Sequence, residues 1–163
     1  DAALQAEADA VDDALQRGEL LAALPDVWRF RPDPQDEGVR SNWFTSGSGP
    51  GWGELRVDQP WTAQGYADYR GVGWYAVVAD VPAFAVGKRL YLCFGGLHGT
   101  CRVWVNGQAA GERTLPPEYM DRLPLVLDVT ELAQPGTPVQ ITVRVMGDGG
   151  LYRPVQWYVG GAV

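Results

Sequence analysis

Apolar and polar positions alternate with a period of two through most of the chain beyond residue 26. Val27-Trp28-Arg29-Phe30-Arg31 sets the pattern, with Trp28 and Phe30 on one face and two arginines on the other. Similar short runs recur at residues 54–57, 74–81, 88–94, 101–105, 108–113, 125–129, 139–145 and 155–159. Period-two alternation over a few residues, bounded by Gly and Pro, is the signature of half-buried β-strands. Asn106-Gly107 marks a two-residue hairpin, because both residues tolerate positive φ. Pro32–Gly38, the Gly/Ser-rich 45–53 and Gly95–Gly99 read as turns or loops. Residues 2–23 differ. Leu4, Ala8, Val11 and Leu15 fall on one helical face, with Asp9, Asp12, Asp13 and Arg17 off it. Gly18 weakens that helix, Leu20, Leu21 and Leu24 could restart its face, and Pro25 ends it. Eight or nine strands with no interleaved helices predict an all-β protein. The expectation is an antiparallel β-sandwich of the jelly-roll type, preceded by one N-terminal α-helix. Two segments follow: an amphipathic helix or linker over 1–25, and the β-sandwich over 26–163.

Composition sharpens this picture. At 163 residues the chain is long enough for one domain with a real core. Its net charge of −7 argues against nucleic acid and anionic membrane surfaces as partners, and no apolar run has the length of a membrane span. The first residue is Asp1, with no signal-like segment, which suggests a processed product or an excised piece. Cys93 and Cys101 flank the Gly95–Gly99 turn. A cross-strand disulfide and two half-buried thiols both fit that spacing. Asp33, Asp36 and Glu37 share one turn and could hold calcium, but the ordered spacing of a calcium loop is missing. A solvated turn is the simpler reading, and no cofactor is expected.

The densest chemistry lies in residues 61–75, where Trp61, Tyr66, Tyr69, Trp74 and Tyr75 place five aromatics in fifteen residues. A Gly-rich aromatic loop ahead of a rigid strand is a way to display a binding surface. Flat rings beside Gln64, Asp68 and Arg70 suit a sugar, which has apolar C–H faces and a hydroxyl rim. Plugging the end of a core is the competing reading. The candidate platform is Trp61, Tyr66, Tyr69 and Trp104, with Gln64, Asp68, Arg70, Asn106 and Glu112 as hydrogen-bonding partners. Asn106 is also explained by the hairpin alone. Trp74 and Tyr75 begin a strand, so at least one belongs to the core, and Trp28 and Phe30 read as core. Tyr152 and Arg153 follow Gly149-Gly150 and could bring a ring and a guanidinium to the same end, although Arg153 could equally pin the last strand through Asp128 or Asp148.

The order of these segments resembles the sugar-binding, galactose-binding-like jelly-roll domain at the N-terminal side of family-2 glycoside hydrolases. The segments are Trp28–Arg31 with Asp33-Pro34, Trp61 with Gln64–Tyr66, Asp68–Tyr75, Leu90–Gly96, Val103–Gly107 with Gly111-Glu112, Leu127–Thr130 and Gly149–Val155. They cover residues 27–159. Two segments depart from the pattern, Leu97-His98-Gly99 and Leu115–Met120. The resemblance implies a domain without catalytic machinery, since in such enzymes the acid and nucleophile come from a separate barrel. It also implies an extracellular or periplasmic setting, and a carbohydrate-binding role in polysaccharide degradation with an oligo- or polysaccharide and a glycosidase catalytic domain as partners.

Independent catalysis has little support in the residues. The single histidine, His98, sits in a predicted turn, and no Ser or Cys has a base beside it. A glycosidase needs two carboxylates about 5–10 Å apart, for which Asp68 and Glu112 are one candidate pair. The expected function is a non-catalytic module that binds a neutral glycan. The alternative is a scaffold that packs on a catalytic barrel without gripping sugar itself.

Overall fold

The computed structural model describes residues 2, 5, 6, 9, 18–84, 87–114 and 123–162. Ten strands are present among them: β1 Glu19–Ala23, β2 Val27–Asp33, β3 Gly53–Arg56, β4 Gly71–Asp80, β5 Lys88–Phe94, β6 Leu97–Val105, β7 Gln108–Arg113, β8 Leu125–Asp128, β9 Pro138–Leu151 and β10 Val155–Ala162. One helical turn, α1 Trp43–Ser46, and a 3-10 turn at Trp61–Ala63 lie between strands. A four-stranded sheet has the order β1-β10-β5-β8, and a six-stranded sheet the order β3-β2-β4-β9-β6-β7. Every pairing is antiparallel. The predicted antiparallel sandwich is therefore the observed fold.

The alternation explains the layers. On β2, Trp28 and Phe30 are each 1% exposed and point between the sheets, while Arg29 and Arg31 lie on the outer face of the larger sheet. Trp28, Phe30, Trp61, Tyr75, Leu92, Phe94, Ile141, Val143 and Trp157 belong to this inter-sheet core. Burying so many large apolar side chains, at about 25 cal/mol per Å², is the main stabilising term. A second, smaller cluster of Trp43, Val72, Trp74 and Trp104 occupies the outer face of the six-stranded sheet. Residues 39–52 fold over it, with Val39, Phe44 and Trp52 packed against it. Trp74 and Tyr75 are both core, one on each face of β4.

Three expectations change. The predicted helix does not run through residue 23, because Glu19–Ala23 is a strand on the edge of β10. The pattern of three leucines fits both periods over so short a run, and the free edge of β10 decides it. Ala2, Gln5, Ala6 and Asp9 are helical, and the rest of the predicted helix lies outside the described residues. Secondly, Gly95–Gly99 is not a hairpin turn. β5 and β6 belong to different sheets, so the chain crosses the sandwich there. Cys93 and Cys101 consequently sit in opposite sheets, both buried and not joined to each other by a disulfide. Thirdly, the 45–53 loop begins inside a helical turn, since α1 extends to Ser46 and Gly47 caps it at φ 56°.

Candidate functional site

The 61–70 loop is built inward. Trp61 is 0% exposed. Its Nε1 donates to the Tyr69 carbonyl at 3.1 Å, and its ring meets Phe30 and Tyr69 at centroid distances of 5.7 and 5.5 Å. Gly150, at φ +72°, lets this ring and the Tyr75 hydroxyl approach the backbone, and a Cβ there would collide with both. The Leu151 amide donates to that hydroxyl at 3.2 Å. Tyr66 packs edge-on to Phe30 at 5.2 Å. The Tyr69 hydroxyl donates to the Val72 carbonyl at 2.5 Å and accepts from the Asp33 amide at 3.2 Å. Burial pushes its ionisation above the ordinary phenol value, so it stays a donor.

Gln64 is equally committed. Its Oε1 accepts from the Arg56 amide at 2.8 Å, and its Nε2 donates to the carbonyls of Arg56 and Gln59 at 2.9 Å each. The amide thus staples the loop to the end of β3. As a displayed platform the loop is corrected by its own packing: a sugar needs an open ring face, and Trp61 has none. Asp68 and Arg70 do point to solvent, while Tyr66 and Tyr69 are half-buried.

Trp104 lies elsewhere, on the outer face of the six-stranded sheet, and is 4% exposed. Phe44 and Trp74 stack against it at 4.9 and 5.3 Å, and the Arg102 guanidinium lies 4.9 Å from its centroid. No ring face remains for a ligand. Asn106, at φ 50°, opens the β6–β7 hairpin, and its Oδ1 accepts from the Gln140 amide at 2.9 Å. That is the hairpin role, so Asn106 is not free for a sugar. Glu112 is exposed and stands across from Arg102. Arg102, Trp104 and Glu112 line a shallow groove of about 170 Å³. Arg102 was not among the sequence candidates. A register shift between Val103 and Trp104 puts it opposite Glu112, and plain counting from the Asn-Gly turn misses that bulge.

Asp68 and Glu112 do not form a glycosidase pair. Glu112 is on β7, three strand spacings from β4, where the Asp68 loop enters. At about 4.8 Å per spacing that is about 14 Å, beyond the ~5–10 Å window. Two of the three turn carboxylates are also spoken for. Asp33, 1% exposed, accepts from the Glu37 and Gly38 amides at 2.8 and 2.9 Å and from Trp74 Nε1 at 2.9 Å. Asp36 pairs with Arg144 at 2.9 Å. Among the described residues no group of three His, Cys, Asp or Glu is placed to hold a metal ion.

Tyr152 and Arg153 do come together, with a residue not proposed for the site. His98 stacks on Tyr152 at 4.3 Å, and the Arg153 guanidinium lies 5.8 Å from the Tyr152 ring. His98 and Tyr152 are half-buried and Arg153 is exposed. Gly96 and Gly149 make the room, since a Cβ on Gly96 would strike the Tyr152 ring and one on Gly149 would strike His98. Asp128 is not an Arg153 partner: it takes Arg89 and Thr130 instead.

No protein-family model matches the chain. A curated protein of Formosa agariphila named "Putative beta-glucuronidase" is 30% identical over 94 residues, which are 58% of this chain and 8% of that protein. Among solved structures, the Ruminococcus gnavus β-glucuronidase in complex with D-glucaro-d-lactam matches with a TM-score of 0.73 at 21% identity, over 89% of this chain and 30% of that one. The apo form of the enzyme gives 0.74 at 20% identity, over 89% and 29%. The chain thus spans less than a third of each of these proteins. The likeness to the solved structures establishes the fold, and every one of these similar proteins bears a β-glucuronidase name.

Proposed function

We propose that the chain is a non-catalytic accessory domain of a glycoside hydrolase, acting as a scaffold beside a catalytic domain and not as an aromatic sugar clamp. One observation carries this reading. The likeness takes in nearly all of this chain and under a third of a β-glucuronidase. A catalytic barrel needs about 250 residues, more than the 163 present. The burial of Trp61 and Trp104 favours the scaffold over the glycan-binding reading, because the rings that would stack on sugar pack on protein instead. The extracellular or periplasmic setting belongs to the same proposal, as does a sandwich that begins at β1 and not at residue 26, since Glu19–Ala23 pairs with β10.

A second reading keeps a glycan contact but moves it. The half-exposed Tyr152, stacked on His98 with Arg153 alongside, offers one ring edge and a donor at the end of the sandwich. Two assays on the isolated chain separate the readings. Hydrolysis of 4-nitrophenyl β-D-glucuronide at a rate above a heat-inactivated control would overturn the non-catalytic assignment. A glycan array followed by tryptophan fluorescence is expected to give no response. A response lost in Tyr152→Ala and retained in Trp61→Phe would establish the second reading.

A further inference from the structure

The outer face of the six-stranded sheet is covered by residues 39–52 over only part of its area. Beyond that cover, β2, β3 and β4 frame a groove of about 260 Å³ lined by Val27, Arg29, Glu54, Ala76 and Val78, with backbone from Trp28 and Val77. Three features distinguish it from an ordinary sheet surface. Val27 and Val78 are 45% and 54% exposed, two of the few large apolar side chains open to solvent. Arg29 Nε and Nη2 are buried and have no hydrogen-bond partner among the described residues. Glu54 stands directly across from Arg29 on β3, and neither nitrogen is bonded to it. A guanidinium carries its charge at every accessible pH, and an enclosed charge without acceptors is costly. Arg29 as a whole retains partial exposure and lines the groove, so a rotation of its side chain toward the groove would bring the two buried nitrogens to an acceptor there.

We propose that this groove binds a single carboxylate, with Arg29 gripping the anion and Val27 and Val78 taking the apolar carbon next to it. A carboxylate matches the guanidinium fork with two parallel hydrogen bonds, and the small volume admits one such group and little more. The shared chemistry has two sources, a sugar acid or the side chain of an acidic residue on another polypeptide. The site is independent of the accessory-domain proposal and of the 61–70 loop.

The test is an amide NMR titration of the ¹⁵N-labelled chain with sodium acetate, sodium isobutyrate and sodium glucuronate, holding ionic strength constant with sodium chloride, and with glucose as the uncharged control. Saturable shifts confined to residues 27–29, 54 and 76–78 are expected for the carboxylates and not for chloride or glucose. Arg29→Gln should weaken binding roughly tenfold, the loss of one charge-assisted pair. Glu54→Gln should tighten it by removing a competing like charge, and this variant keeps the test open if Arg29→Gln does not fold. Isobutyrate binding more tightly than glucuronate identifies an acidic side chain as the source, and the reverse order identifies a sugar acid. Shifts that are unsaturable, spread over the domain, or equal with chloride overturn the proposal, as does unchanged acetate binding in both variants.

Discussion

The six-stranded sheet carries an aromatic cluster on each face, and the two are held by different forces. Between the sheets, Phe30, Trp61, Tyr66, Tyr69 and Tyr75 meet at tilted or edge-on angles inside one continuous core. Their cohesion is apolar burial, and the hydrogen bonds of Trp61 and Tyr69 only trim the edges. On the outer face, Trp43, Trp52, Trp74, Trp104 and Phe44 form a plate one layer thick, covered by a loop instead of a sheet. That plate depends on polar clamps. Asp33 ties Trp74 to the 34–38 turn, Arg31 lies 3.7 Å over Trp43, and Asp36 reaches across to Arg144. A dense run of rings in a sequence is therefore not evidence of a binding platform. It signals that something must be covered, and the packing decides whether a ligand or the protein does it.

The contrast can be broken by removing one member from each side. Trp61→Ala opens a cavity in a closed core and should cost about 3–5 kcal/mol, seen as a lower urea midpoint. A cost under about 1 kcal/mol would mean that Trp61 is a surface ring after all. Asp33→Asn keeps the volume but replaces one acceptor with a donor facing an N–H. It should cost about 1–3 kcal/mol, with loss of exchange protection at the Trp74 indole N–H while the Trp61 indole N–H keeps its own. Parallel loss at both indoles would show that the two clusters are one cooperative unit. Gln64→Ala removes the staple between the loop and β3, and should cost about 1–2 kcal/mol, with faster amide exchange limited to residues near Arg56.

Smaller effects test the rims. Burial pushes the Cys93 thiol up to about 11, so at neutral pH a disulfide reagent should modify neither Cys93 nor the equally buried Cys101 until the protein unfolds. Prompt reaction of either thiol in the native state would contradict the packing of its sheet. At Asp128, burial opposes the charge, but the Thr130 hydroxyl and amide and the Arg89 guanidinium outweigh it and lower the carboxyl's ionisation below the ordinary 3.8. The folded form then binds fewer protons than the unfolded one near that pH. Its contribution is whole above about pH 4 and is lost as the pH falls through the lower folded value. Asp128→Asn should flatten that part of the acid-unfolding profile slightly, the group being well exposed.

Much of the architecture is legible in the sequence for a physical reason. Alternation exposes which face of a strand is apolar, so nine of the ten strands are anticipated, but Gly is a poorer stop signal: β6 begins at Leu97 inside the predicted turn, and β9 runs on through Gly147, Gly149 and Gly150 to Leu151. β1 is not, because five residues rich in Leu and Ala fit a helix as well as a strand, and only the open edge of β10 selects between them. The candidate site fared differently. Residue type nominates Trp61, Gln64, Trp104 and Asn106 for a sugar, yet Gln64 and Asn106 spend their amides on backbone. Arg29, on a strand read as simple alternation, is left with unmet hydrogen bonds among the described residues.

What the sequence by itself determined is therefore the sandwich: nine of its ten strands, which of their faces turn inward, and where the Asn106-Gly107 hairpin sits. These follow from local rules of periodicity and turn chemistry that act within a few residues. Only the tertiary structure decided which sheet each strand joins, which separates Cys93 from Cys101, and which rings meet solvent. Those outcomes depend on contacts between segments far apart in the chain, such as Trp61 with Gly150 and Trp74 with Asp33. A ring exposed in its own loop can be covered by a strand ninety residues away, and no local pattern records that.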